Sequence, residues 1–79
     1  MRPKEIAPEH QELYNEIGKR LKNLRTPTKL TYINLSKKIG IAKNSYNQME
    51  LGKLNFQFST LLLVLKYHNI SISEFFKDL

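Results

Sequence analysis

Cysteine is absent from this 79-residue chain, and so is tryptophan. Without cysteine no disulfide can staple the fold, and zinc sites built on thiolates are excluded. The two histidines, His10 and His68, stand 58 positions apart and make no metal-binding pair. Glycine and proline are scarce, at three each. No linker, internal repeat or low-complexity tract divides the chain, so the expectation is an irregular arm over residues 1–8 and a single domain over 9–79. A domain this small buries only about 60–65% of the surface its unfolded chain exposes. Its core must therefore come from apolar packing alone.

Long apolar runs are missing too. The longest, Leu61 to Leu65, is far short of the ~20 residues a membrane helix needs. Arg2 and Lys4 are not followed by the apolar stretch of a secretory signal. The expected location is cytoplasmic, with no membrane partner. Enzymatic signatures are lacking as well: no glycine-rich phosphate loop, no His-Glu-x-x-His and no Gly-x-Ser-x-Gly elbow. His10 reads as an exposed residue, and His68 as a helix-terminal residue whose protonated form the helix dipole favours. Neither catalysis nor a cofactor, metal or small-molecule ligand is expected.

Acids are nearly absent from the middle of the chain. Between Gly18 and Lys53 there are nine basic residues and one acid, Glu50, a net charge of +8 against +6 for the whole chain. Before that stretch Glu5, Glu9, Glu12 and Glu16 outnumber Arg2 and Lys4, and after it the charges balance. Such concentration favours a polyanion, either nucleic acid or an anionic membrane surface; an ordinary solvated basic face is the bland alternative.

The hydrophobic pattern is helical throughout. Leu13, Ile17, Leu21 and Leu24 recur at steps of four, four and three, one face of a helix that should begin near Glu9. Pro27 biases Thr26 away from helical angles, which ends that helix near Arg25. Thr31 can cap a short second helix over about 32–38, with Leu35, Ser36 and Ile39 facing inward. Gly40 supplies a left-handed turn, and a third helix runs from about 42 or 43 to 51, with Ile41, Tyr46 and Met49 on the core side. Gly52 stops it. Ser59 can cap a fourth helix to about 68, with Phe58, Leu61, Leu62 and Leu65 inward. Asn69 can then end it, and Ser71 with Glu74 makes a capping box for a last short helix carrying Phe75, Phe76 and Leu79. The fold class is all-α: five helices and no strands.

Two short helices joined by a glycine-containing turn form a helix-turn-helix, here about 32–51. With Tyr46 and Met49 turned inward, Lys43, Asn44, Asn47 and Gln48 point outward. Lysine can donate to guanine O6 and N7, and asparagine or glutamine can make paired contacts with adenine. A generic polar helix surface is the alternative, and it is strongest for Asn47.

The stretch Thr31-Tyr-Ile-Asn-Leu-Ser-Lys-Lys-Ile-Gly40-Ile-Ala-Lys-Asn-Ser-Tyr-Asn-Gln-Met-Glu50-Leu-Gly-Lys53 resembles the core of the phage repressor and Cro family. Ile17-Gly18-Lys-Arg-Leu before it, and Thr60-Leu-Leu with Ile70-Ser-Ile-Ser-Glu-Phe-Phe76 after it, look like that family's first, fourth and fifth helices. The resemblance covers about 17–76. It implies a lambda-repressor-like five-helix bundle that binds double-stranded DNA, with Lys43, Asn44, Asn47 and Gln48 at the bases. It also implies phosphate contacts from Thr31, Tyr32 and Lys53, and an orienting ion pair between Arg25 and Glu50.

Four positions depart from the family pattern. Tyr32 stands where glutamine is common, Ala42 at the usual Ser/Thr cap, Tyr46 at a buried aliphatic, and Phe56 at a proline. The family implies a homodimer placing two recognition helices about 34 Å apart on a near-palindromic operator. The expected contact is the last helix or the loop before it, with Phe75 in the core and Phe76 free for either role. Transcriptional repression is the implied activity. An antitoxin using the same fold to hold a toxin is the alternative, with the 1–8 arm and the last helix as its candidate surfaces.

Overall fold

Ile17 and Leu21 define the inner face of the first helix, and the other helices close over them. A computed structural model describes residues 5–79, so the expected arm is described only from Glu5 onward. After a 3-10 turn at Pro8–His10 come α1 (Gln11–Arg25), a second 3-10 turn (Thr26–Thr28), α2 (Tyr32–Ile39), α3 (Lys43–Glu50), α4 (Phe58–Tyr67) and α5 (Ile72–Phe75). The described residues form five α-helices and no strand. Every helix contributes to one core: Ile17 and Leu21, Leu35, Tyr46 and Met49, Leu61, Val64 and Leu65, and Phe75. The fold is the expected all-α bundle.

The local signals mostly act as the chemistry requires. The Thr31 hydroxyl accepts from the Asn34 amide at 3.1 Å, capping α2. Gly40 takes φ 91°, a left-handed angle that a side chain rarely tolerates, and this turns the chain from α2 into α3. Asn69 takes φ 55° after α4. The Ser71 hydroxyl accepts from the Glu74 amide and lies 3.3 Å from the Glu74 carboxylate. Phe75 is core, while Phe76 is half-buried against it, ring edge to ring face.

Three expectations are corrected. Leu13 is 43% exposed rather than inward. The first turn of α1 reaches past the core and is anchored by polar contact, with Gln11 Nε2 donating to the Gly52 carbonyl at 2.7 Å. Thr26 keeps helical angles (φ −52°, ψ −47°) despite Pro27. The Thr26 and Thr28 hydroxyls donate to the carbonyls of Lys22 and Arg25, satisfying the helix end, and the chain turns only at Lys29, φ 63°. Finally, α4 begins at Phe58 with no side-chain cap, so Ser59 does not cap it. Its buried face is Leu61, Val64 and Leu65, leaving Phe58 and Leu62 55% and 38% exposed. A run with apolar side chains at every position from 61 to 65 does not encode which way the helix is rolled.

Candidate nucleic-acid interface

Complete burial of one face of α3 exposes the other. Tyr46 and Met49 are sealed in the core, and Ile41 packs against it just before the helix. Ser36 on α2 is also buried. Its hydroxyl donates to the Ile33 carbonyl, and its own carbonyl takes the amides of Gly40 and Ile41, which tightens the turn. Ala42 holds the N-cap position of α3 with no side-chain bond, leaving the first amides of the helix without that partner.

Opposite Tyr46 and Met49, Lys43 and Asn44 are exposed, and Asn47 and Gln48 are half-exposed. The four therefore share the outer side of one eight-residue helix but are not equivalent. Asn47 also borders a groove between α1 and α3, together with Lys19, Lys22 and Glu50. Thr31 is exposed at the start of α2, although its hydroxyl is already engaged in capping. Tyr32 is half-buried with its ring against the core. Lys53 is exposed beyond Gly52, its amide bonded back to the Gln48 carbonyl at 2.9 Å.

Arg25 and Glu50 meet as a two-pronged pair. Nε donates to Oε2 at 2.7 Å and Nη2 to Oε1 at 2.9 Å. Nη1 donates to the Leu30 carbonyl at 3.0 Å, so the same arginine ties the end of α1, the end of α3 and the loop before α2. The side chains are only 17% and 5% exposed. The bond to Glu50 raises the already high arginine pKa, outweighing the opposing effect of burial.

Tyr46 lies beside this pair, its buried hydroxyl facing the Glu50 and Arg25 side chains without a well-formed hydrogen bond to either. Of the two expected outlets for that hydroxyl, solvent is closed, and the charged pair is the partner it faces. Burial pushes its pKa far up, with the Glu50 carboxylate adding to the effect. His68 is also corrected. Burial lowers its pKa, the reverse of the expected dipole effect, and its Nε2 has no partner.

Several roles were not singled out from sequence. Arg20, counted among the basic residues, donates to the carbonyls of Phe75 and Lys77 at 2.7 and 2.6 Å. It therefore fastens α1 to the end of α5. Asn15, Lys19 and Lys22 recur at steps of four and three, which places them on one stripe of α1, facing the α3 groove. That spacing was visible in the sequence. The partner across the groove was not.

Among the described residues no helix is long and apolar enough to cross a membrane, and no group of three acidic, histidine or cysteine side chains is placed to hold a metal. No curated protein matches the chain. The helix-turn-helix family model matches residues 21–75, well over half of it, from the last third of α1 to the last residue of α5. The chain thus belongs to the helix-turn-helix family, among the Cro- and repressor-like DNA-binding regulators of transcription.

Proposed function

We propose that this chain reads a specific duplex sequence through the outer face of α3 and represses transcription by occupying its operator as a homodimer. The observation that carries this reading is the division of α3. Tyr46 and Met49 lock the helix into the core, while Lys43 and Asn44 stand free and Gln48 lies half-exposed beside them. A rigid backbone presenting short polar side chains is what readout in the major groove requires. Lys43 suits guanine, and Asn44 and Gln48 suit adenine. Thr31, Tyr32 and Lys53 lie at the ends of the motif, where phosphate contacts set register without reading sequence. The Arg25–Glu50 pair holds α3 at a fixed angle to α1.

A single short helix offers few base contacts, which favours two copies on a near-palindromic site. Exposed Leu63 on α4, and Ile72 and Leu79 around α5, supply apolar surface for that contact. Selection of duplexes from a random pool tests the whole reading. An inverted repeat with helical-turn spacing is the expected product, and Lys43→Ala or Gln48→Ala should relax selectivity at one base pair by ~1–3 kcal/mol. Lack of any enriched sequence would reject operator reading and favour a protein-binding role such as that of an antitoxin.

A further inference from the structure

We infer that the groove between α1 and α3 is a second DNA-backbone site, in which Lys19 and Lys22 neutralise phosphate and the Asn47 amide donates to it. The inference rests on the DNA-binding reading but concerns residues that reading leaves unassigned. The groove has a volume of about 430 Å³ and is lined by Asn15, Lys19, Lys22, Arg25, Asn47 and Glu50, among others. Three of these are cations and one is an acid. Both Glu50 oxygens are taken by Arg25, so the acid is neutralised within the wall. Lys19 and Lys22 are exposed and make no ion pair among the described residues. Their charges therefore stand uncompensated on one rim.

The opposite rim is Asn47, three residues after Asn44 and so on the same side of α3, one turn along. An anion in the groove thus lies directly beside the face that meets the bases. On a duplex, the charged group flanking a major-groove helix is the phosphodiester backbone. Asn47 lines the groove where Lys43, Asn44 and Gln48 do not, which fits a donor to the backbone better than a reader of base edges. Asn15 is committed elsewhere, accepting from Gln11 at 2.9 Å. Arg20 cannot contribute, since it is bound to the end of α5.

Counterion release gives a direct test. The full chain and its Lys19→Ala/Lys22→Ala variant are titrated with a selected duplex and an unrelated one across a salt series. Each phosphate neutralised contributes a slope of about 0.9 in log K against log salt. The double variant should lose about 1.8 of slope, so that raising salt from ~50 to ~200 mM weakens it about tenfold less than the parent. Lys66→Ala/Lys77→Ala, which removes the same charge away from the groove, should keep the parental slope. Asn47→Ala should lower affinity for both duplexes by the same factor with no change in slope, because it removes a donor but no charge.

An unchanged slope in the Lys19/Lys22 variant, with the parent binding normally, would overturn this inference and leave operator reading intact. A loss in Asn47→Ala confined to one base pair would do the same. Failure of the parent chain to bind any duplex would overturn both. Thermal melts of each variant separate loss of binding from loss of fold.

Discussion

Gly18→Ala sets helix propensity against packing, and the structure decides the sign. Alanine in place of glycine inside an isolated helix gains about 1 kcal/mol. Here α1 and α3 approach so closely at Gly18 that an added Cβ would collide with the main-chain carbonyls of Glu50 and Met49. Backbone atoms cannot rotate away as a side-chain tip can, so α3 must move. Overpacking of this kind costs about 1–3 kcal/mol, and a collision with backbone belongs at the upper end. Subtracting the propensity gain leaves a net loss of roughly 2 kcal/mol, or about 10 °C in Tm for a domain of this size. Asn23→Ala, an exposed position on the same helix, supplies the control and should stabilise by a few tenths of a kcal/mol, about 0.5 at most. Thermal melting followed by circular dichroism reads both variants. Because the displaced residues include Glu50, duplex affinity should fall further than the melt alone explains. A Tm for Gly18→Ala equal to or above that of the parent would refute the claimed contact.

Three other perturbations follow from buried polar groups. Glu50→Gln should destabilise by about 3 kcal/mol, because it strands a mostly buried guanidinium without its carboxylate; denaturant melts in which Glu50→Gln matched the parent would contradict this. Tyr46→Phe should change stability by about 1 kcal/mol at most, since the buried hydroxyl it deletes has no well-formed hydrogen bond; a marked loss in the same melts would mean that the Arg25–Glu50 pair bonds it strongly. His68 has a folded pKa below the ~6.5 of an unfolded chain, so under acid the unfolded state binds more protons. Stability should therefore fall as pH drops through about 6.5, and His68→Leu should flatten that decline. An imidazole titration by NMR giving His68 a pKa above 6.5 would reverse the sign and restore the dipole argument.

The elements were legible because their end signals are chemical and local. Thr31, Gly40, Asn69 and Ser71 each act at the position where they stand, through a hydroxyl or a tolerated left-handed angle. Rotation about a helix axis is a different kind of information. It is encoded only where apolar and polar residues alternate with the helical period, as at Tyr46 and Met49 among the polar residues of α3. Across Leu61–Leu65 nothing polar marks the outside, and the choice of Val64 over Leu62 is made by neighbours distant in sequence. Leu13 fails for a related reason: periodicity says which side of α1 faces inward, but not how far along the helix the core extends. Thr26 shows a weak backbone bias being overridden once side-chain hydroxyls satisfy the carbonyls it would have left open.

Charge behaves differently again. The sequence locates nine cations between Gly18 and Lys53 but cannot say which are spent inside the protein. Arg20 and Arg25 are spent, one on the carbonyls ending α5 and the other on Glu50 and the Leu30 carbonyl. The guanidinium explains why both are arginines, since its planar set of donors can satisfy several fixed acceptors at once where a lysine ammonium acts as a point charge. Within the stretch, every lysine is exposed. The basic excess thus divides by residue type into arginines that hold the bundle together and lysines that remain for solvent or an anion. A duplex binding through those lysines should be strongly salt-dependent, while the fold held by the arginine bonds should not be, because half-buried pairs are screened far less than exposed ones.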